Sequence, residues 1–257
     1  MPTRRALAAA LLLAPLPLAA QAPAPIRCFG GGGPGAAFTA AGQAFAAQSG
    51  QPVEVVAGPI ETWAPQARAG ADLLFSASGH QLQGDYPEMF GPMLAPGTAQ
   101  PALFRRPGQL LVRPGNPRGI TGLRDLLSRP PAQSRLLLTE AEEDRGMWEE
   151  AAARGGAGLV QALRDRVAEV LPNSGEAQRA WRARPDAIDA WLGWRLRENT
   201  VAGLGVAVPI EPPFALARDI GFVLTRAGAA RPEVARFAEF LRGAEATAIF
   251  ARHGFTR

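Results

Sequence analysis

The sequence predicts an α/β fold, in which mostly parallel strands are covered by helices. Short apolar segments at 26–29, 52–57 and 71–76 alternate with segments of helical periodicity. A long extended segment at 102–113 follows, and the alternation then resumes. This alternation is typical of a parallel sheet that carries helices on both faces.

The remaining elements follow from the same patterns. Asn173 to Glu176 has the sequence of a capping box, which predicts the start of a helix that continues through Trp181. The last segment of the chain has apolar residues at spacings of three and four, which indicates helices. Other helices are predicted at 36–48, 58–69, 80–90, 121–127, 142–154 and 159–171, and other strands at 135–138, 187–191, 205–210 and 219–224.

Residues 1–22 are predicted to be a signal peptide. Arg4 and Arg5 form a positive n-region, residues 6–20 form an apolar run, and Ala20-Gln21-Ala22 is an A-x-A cleavage site. The run is broken by two prolines and is too short to span about 30 Å of hydrocarbon comfortably. We therefore expect cleavage after Ala22 and export of the mature chain to the periplasm.

Composition excludes several classes of function. The formal charge of +4 falls to +2 once Arg4 and Arg5 are removed, and the remaining arginines are interspersed with carboxylates. The chain therefore lacks the basic stripe of a nucleic-acid-binding protein. The one cysteine, Cys28, excludes an intramolecular disulfide and a cysteine-rich zinc site, and its predicted strand indicates a buried thiol. We expect no cofactor, no metal and a monomer.

Two strand-to-helix turns have the same design, with Gly33-Pro34 after the first strand and Gly58-Pro59 after the second. Glycine suits the N-cap of a helix, and proline suits its first position. The next backbone N–H groups lack helical partners and lie at the positive end of the helix dipole. Together the two turns predict an anion site, although each could be an ordinary tight turn. The glycines assigned to this site are Gly32, Gly33, Gly35 and Gly58.

Polar side chains follow these turns and add neutral donors, which can hold a buried anion without a second buried charge. Thr62 lies in the first turn after Gly58-Pro59, and Trp63 beside it is predicted to wall the pocket. Each hydroxyl could equally be a plain helix cap. The other predicted donors are Ser76, Ser78, Asn173 and Ser174.

The glycine run also fits a relaxed dinucleotide-binding pattern, Gly31-x-Gly33-x-x-Ala36, with Glu54 about 20 residues on as the ribose ligand. An exported dinucleotide-dependent oxidoreductase is therefore an alternative. A second alternative is a module that keeps a binding fold but docks a partner protein. The sequence offers no good combination of catalytic residues, because the two histidines are far apart in sequence and no nucleophile-elbow motif is present. The chain is accordingly predicted not to be an enzyme.

Four stretches together resemble the accessory colonization factor C type of periplasmic solute-binding protein, a group similar to the molybdate- and sulfate-binding proteins. The stretches are 29–38 (FGGGGPGAAF), 57–63 (AGPIETW) with 71–78 (ADLLFSAS), 111–119 (LVRPGNPRG) and 172–191 (PNSGEAQRAWRARPDAIDAW). The ending 240–255 (FLRGAEATAIFARHGF) resembles the close of many such proteins. The resemblance is specific in the first two stretches and generic at the end.

The resemblance implies a two-lobed type II periplasmic-binding-protein fold, with each lobe a mostly parallel sheet flanked by helices and two hinge strands between them. Lobe 1 would comprise 23–105 and 222–257, and lobe 2 would comprise 106–221. The implied function is binding of a small anionic solute, an oxyanion or organic acid, in the interlobe cleft. Delivery to an ABC-type permease would usually follow.

One stretch departs from the pattern of this group. A small-residue turn is usual before the Trp-Glu of the second lobe, but this chain carries acids at Glu140, Glu142, Glu143 and Asp144. Acids beside an anion site would repel the anion, so Arg145 is predicted to compensate or the acids to face solvent. The departure argues against a simple tetrahedral oxyanion and leaves room for an organic acid or for a polar solute with a cationic part.

Overall fold

The computed structural model describes residues 23–76, 78–140 and 145–257 of the chain. The predicted signal peptide with its cleavage site, and the acids Glu142, Glu143 and Asp144, lie outside the described residues. Among the helices of the described ranges, none reaches the length and apolarity that a bilayer crossing requires.

The elements alternate between strands and helices along most of the chain, as the sequence predicts. In chain order they are β1 Ile26–Gly30, α1 Gly32–Ser49, β2 Val53–Ala57, α2 Ile60–Gly70, β3 Leu73–Phe75, α3 Tyr86–Phe90, β4 Gln100–Val112, α4 Leu123–Ser128, β5 Leu136–Thr139, α5 Met147–Arg154, α6 Leu159–Arg164, β6 Val167–Leu171, α7 Ser174–Ala183, β7 Ala190–Trp194, α8 Glu198–Ala202, β8 Val206–Val208, β9 Ala217–Leu224, α9 Arg226–Ala229, α10 Pro232–Arg242 and α11 Ala244–Arg252.

The strands of the described residues form one curled sheet in the order β2-β1-β3-β9-β4-β7-β5-β6, and β8 also pairs with β4. At one end β1 is parallel to β2 and β3, and at the other end β5 is parallel to β6 and β7. The strands β4 and β9 run antiparallel to each other between these two parallel groups. The predicted α/β architecture with two parallel groups and two connecting strands is confirmed.

Each parallel group has its own apolar core. In the first, Phe38 of α1 stacks on Phe75 at 4.3 Å between ring centroids and meets Phe250 of α11 edge-on at 5.2 Å. Cys28 is fully buried in this core, and burial raises the pKa of its thiol, so it packs as an uncharged side chain. In the second group, Trp148 belongs to a separate cluster built on β4, β5 and β7.

Helix α1 begins at Gly32, earlier than the predicted 36–48. The predicted N-cap of α2, Gly58, is also wrong, because Pro59 takes that position. In α1 the N-cap is Gly31 and not the predicted Gly33, so most of the glycine run is helical. The reason is close packing: a Cβ atom on Gly35 would lie 2.3 Å from the Cβ of Ala57 on β2, and one on Gly42 would lie 2.9 Å from Val53. These glycines therefore let α1 approach the sheet rather than loop away from it.

The helix predicted at 159–171 is wrong in its second half. Helix α6 ends at Arg164, and Val167–Leu171 forms the edge strand β6, parallel to β5. The side chains of β6 alternate between half-buried and exposed. Four of the five residues of β6 are apolar, and a short apolar run of this kind cannot be told from the continuation of a helix by periodicity alone.

Candidate functional site

A cleft of about 790 Å³ opens between the two parallel groups of strands. Residues from both groups and from the two connecting strands line it, which is where ligands bind in open α/β sheets. The lining residues are Gly31, Gly32, Gly33, Pro34, Gly58, Pro59, Ile60, Glu61, Trp63, Gln81, Arg106, Thr139, Pro172, Asn173, Ser174, Gly175, Trp194, Arg218 and Ile220.

The N-termini of helices α1 and α2 form one wall of the cleft. Their N-cap residues are Gly31 and Pro59, and neither N-terminus carries a side-chain cap. The two turns are close together, since a Cβ atom on Gly32 would lie 3.6 Å from the Cα of Gly58. The uncapped backbone N–H groups and both helix dipoles therefore present partial positive charge to the same space.

Two arginines lie at the base of the cleft, where β4 and β9 pair. Arg106 and Arg218 are direct partners in the antiparallel register, and both line the cavity. Arg106 donates from Nε to the backbone oxygen of Arg195 at 3.2 Å, and Arg218 lies over the ring of Trp194 at 4.9 Å from its centroid. Burial, and secondarily the charge of Arg218, lower the pKa of Arg106 to about 10, so Arg106 keeps its proton at neutral pH.

The opposite face of the same strand pair is different. Arg105 and Asp219, also direct partners in the register, form an ion pair at 3.2 Å on the exposed face. Because side chains alternate along a strand, the ion pair faces solvent and the two like charges face the cleft. Like charges directly opposite each other destabilise a strand pair, so an anion between Arg106 and Arg218 would relieve their repulsion.

The wall opposite the helices α1 and α2 comes from the start of helix α7. Asn173 caps this helix, because its Oδ1 accepts from the backbone N–H of Glu176 at 2.9 Å, as the capping box predicts. Beside it, the hydroxyl oxygen of Ser174 is buried and has no hydrogen-bond partner in the described part of the chain. Ser174 therefore has a hydroxyl free to donate to a ligand or accept from it.

Glu140, the described acid of the acidic run, is directed to the start of helix α5. Its carboxylate accepts from the backbone N–H of Gly146 at 3.1 Å. Burial raises the pKa of Glu140, while hydrogen bonds from the backbone at the start of α5 oppose the rise. The carboxylate of Glu140 therefore lies at the N-terminus of α5, and Glu140 is not among the described residues that line the cleft.

The structure brings six of the predicted site residues to the cleft: Gly32, Gly33, Gly58, Trp63, Asn173 and Ser174. Their contact with a ligand stays a prediction. Five others lie elsewhere and carry out local roles or are exposed. These are Gly35, Thr62, Ser76, Ser78 and Arg145.

The local roles of the hydroxyls explain why they do not reach the cleft. Ser76 is fully buried, and its Oγ accepts from the backbone N–H of Gly221 at 3.3 Å. Thr62 donates to the backbone oxygen of Pro59 at 2.7 Å, and the Oγ of Ser78 accepts from the N–H of Gln81 at 3.4 Å. Arg145 is exposed near the start of α5.

The two arginines at the base were missed by the sequence analysis. Strand alternation in 102–113 indicates that Arg105 and Arg106 face opposite ways, which is a usable signal. It does not tell which face meets the cleft or that Arg218 is the partner. Other cleft residues without a sequence signal include Gln81 and Thr139.

Glu54, the predicted ribose ligand of the dinucleotide alternative, lies at the start of β2. Its carboxylate pairs with Arg27 at 3.5 Å. The cleft is at the other end of this strand, three residues further on, which is about 10 Å at the usual rise of a strand. In residues 23–76, 78–140 and 145–257, no cluster of three or more His, Cys, Asp or Glu side chains could hold a metal ion.

Sequence comparison identifies a family. The sequence model of a family described as bacterial extracellular solute-binding protein matches residues 26–256. No curated protein matches the chain at a significant level.

Solved structures support the same assignment. Peb3 from Campylobacter jejuni is similar to this chain with a TM-score of 0.76 and 28% identity, over 90% of this chain and 99% of Peb3. A structure of PEB3 with L-phospholactate bound gives the same values. The chain also resembles the substrate binding domain of a putative molybdenum ABC transporter from Clostridium difficile, with a TM-score of 0.70 and 18% identity over 90% of this chain and 98% of that one.

The periplasmic molybdate-binding protein of Azotobacter vinelandii matches with a TM-score of 0.64 and 15% identity, over 90% of this chain and 99% of that protein. At these lower identities the likeness shows the fold alone. The type II periplasmic-binding fold and the resemblance to this group of proteins, both predicted from the sequence, are confirmed.

Proposed function

We propose, from the premise that this chain belongs to the bacterial extracellular solute-binding protein family, that it binds a small organic anion in the cleft between its lobes. The anion would carry a carboxylate, a phosphate group or both. Members of this family are solute-binding proteins, and the proposed activity is binding without chemical change.

The pairing of Arg106 with Arg218 carries this proposal. Two guanidinium groups face the cleft from adjacent strands, and among the described residues that line it one carries a carboxylate, the exposed Glu61. The planar guanidinium forms forked hydrogen bonds with carboxylates and phosphates. The backbone N–H groups near Gly33 and Gly58 would hold the same anion or a second acidic group of it.

The volume of the cleft favours an organic anion over a bare oxyanion. At about 30 Å³ per water molecule, 790 Å³ corresponds to roughly 25 waters. A tetrahedral oxyanion would leave most of that space filled with solvent. An organic acid phosphate, such as the L-phospholactate in the related PEB3 structure, would occupy more of it and reach both the arginines and the helix N-termini.

Binding would work by closure of two lobes about β4 and β9. The proposed lobes comprise 23–105 with 222–257, and 106–221. Lobe 1 would contribute the N-termini of α1 and α2, while lobe 2 would contribute Asn173 and Ser174. A ligand that contacts both walls would stabilise the closed arrangement. The proposed place of action is the periplasm, and the proposed partner is an ABC-type permease that receives the solute.

Titration calorimetry with a panel of solutes tests the proposal. The panel contains L-phospholactate, lactate, inorganic phosphate, sulfate, molybdate and NAD. We expect saturable binding of the organic acid phosphate that is tighter than that of lactate or of any inorganic oxyanion. Tightest binding of molybdate or sulfate would overturn the organic-anion proposal, and binding of NAD alone would favour the oxidoreductase. If no solute of the panel binds, the result would favour the module that docks a partner protein.

A further inference from the structure

A second, smaller cavity of about 170 Å³ lies beside the main cleft. Among the described residues it shares Gly33 and Arg106 with the cleft. Its walls come from α1, β4, α7, the segment from the end of β7 to α8, and the C-terminal segment. The lining residues are Gly33, Ala36, Arg106, Gln178, Leu196, Arg197, Thr200, His253 and Phe255.

All the polar side chains that line this second pocket can donate hydrogen bonds. Arg106 and Arg197 are cationic, while Gln178, Thr200 and His253 can all donate hydrogen bonds. None of the residues that line it within 23–76, 78–140 and 145–257 carries a carboxylate. A cavity that collects cations and donors without a counter-charge is suited to an anion.

The C-terminal segment fixes the shape of this pocket. Thr256 exchanges backbone hydrogen bonds with Arg105 of β4, at 2.7 and 2.8 Å. Gly254 has a φ of +88°, and a Cβ atom there would lie 3.0 Å from the backbone oxygen of Arg195 and 3.1 Å from that of Leu196. Glycine is thus required at this close approach, and it sets His253 and Phe255 beside the segment that follows β7.

The surroundings of His253 are positively charged. Burial lowers its pKa below 6.5, and the charges of Arg197 across the pocket and Arg252 on its own helix lower it further. The third cation that faces the pocket is Arg106. An anion in the pocket would offset these charges and favour protonated His253.

We propose that this second pocket binds a compact tetrahedral oxyanion, separately from the solute in the main cleft. Its volume corresponds to roughly six waters, a space that suits sulfate or phosphate and excludes most organic solutes. Arg197 and His253 would hold the ion from opposite sides, with Gln178 and Thr200 as neutral donors. Because the walls belong to both proposed lobes, a bound ion would also favour lobe closure.

Nuclear magnetic resonance of the two histidine rings tests the proposal with sulfate, whose charge does not change between about pH 5 and 8. His253 lines the pocket and His80 lies on the surface elsewhere, so His80 is an internal control. We expect sulfate to shift the His253 signals saturably and to raise its pKa, while the His80 signals stay in place. Unmoved His253 signals would overturn the proposal.

A matched pair of variants separates the pocket from general electrostatics. Arg197→Gln removes a pocket cation, and Arg252→Gln removes an equal charge next to His253 that does not line the pocket. We expect Arg197→Gln to weaken sulfate binding at His253 about tenfold or more and Arg252→Gln to change it little. Equal weakening in both variants would overturn the proposal.

The main cleft supplies the last control. Arg218 lines the cleft but not the second pocket, so Arg218→Gln should leave the response of His253 to sulfate intact. Loss of that response in Arg218→Gln would mean that sulfate acts from the cleft and would contradict a separate site. Thermal melts check that every variant folds, and Thr200→Ala serves as a second pocket variant.

Discussion

Arg106 of β4 and Arg218 of β9 lie directly opposite each other, and both face the cleft. Their neighbours Arg105 and Asp219 are also opposite each other but form an exposed ion pair. The same two strands thus carry a satisfied charge pair on one face and two like charges on the other. Both guanidinium groups would attract an anion that enters the cleft.

Replacing one arginine of this pair should greatly reduce anion affinity. We expect Arg218→Gln to weaken binding by about 2 kcal/mol or more, roughly 30-fold, because a desolvated charge contact is lost. Arg105→Gln is the matched control, since it removes the same charge one residue away from Arg106 on the solvent face. Calorimetry with L-phospholactate measures both, and equal losses in the two variants would contradict the assignment of the arginine pair.

Ser174→Ala should separate binding from stability. The Ser174 hydroxyl has no partner among the described residues, so its removal should leave the melting temperature unchanged or slightly higher. Affinity should fall by about 1 kcal/mol, roughly fivefold, if the hydroxyl contacts the solute. An affinity equal to that of the native protein would remove Ser174 from the site.

Asn173→Ala, in contrast to Ser174→Ala, should lower the stability of the protein. It removes the cap of α7, in which Asn173 Oδ1 accepts from the N–H of Glu176. We expect a loss of about 1 kcal/mol in the free energy of unfolding, or roughly 2–4 °C in the melting temperature. Chemical denaturation measures the loss, and an unchanged midpoint would show that the cap contributes no net stability.

Ser76→Ala should affect stability rather than binding. The buried hydroxyl of Ser76 accepts from the N–H of Gly221, and Ser76 does not line the cleft. We expect a loss of about 1 kcal/mol in the free energy of unfolding and an affinity within about twofold of native. A large loss of affinity without a loss of stability would restore Ser76 to the binding site, as the sequence analysis placed it.

Anion affinity in the main cleft should stay constant between about pH 7 and 9. The pKa of Arg106 is lowered to about 10 by burial and by Arg218, so the guanidinium remains protonated throughout this range. Phosphate esters are also fully ionised there, because their second pKa is about 6. A falling affinity between pH 7 and 9 would mean that a group with a lower pKa holds the solute. Calorimetry at each pH with Arg105→Gln as control measures this dependence.

Much of the lobe 1 half of the cleft could be predicted from the sequence. Gly32, Gly33 and Gly58 are near the carboxyl ends of predicted parallel strands, and local turn chemistry indicates uncapped helix starts there. The cap at Asn173 was predicted correctly for the same reason, because a capping box is a pattern of near neighbours. The hydroxyls of Ser76 and Thr62 could not be assigned in this way. Thr62 has a local backbone partner in Pro59, which the sequence left as an alternative, whereas the partner of Ser76, Gly221, is distant in the chain and only the packed structure reveals it.

The sequence by itself determined the α/β class and the buried thiol of Cys28, because these depend on periodicity and on near neighbours. Only the tertiary structure decided that Arg106 faces Arg218 and that β6 is a strand. Both depend on partners that are distant in the chain. The register of β4 on β9 places Arg106 opposite Arg218 and Arg105 opposite Asp219, and a shift of β4 by one residue would turn Arg106 away from the cleft and break both pairings.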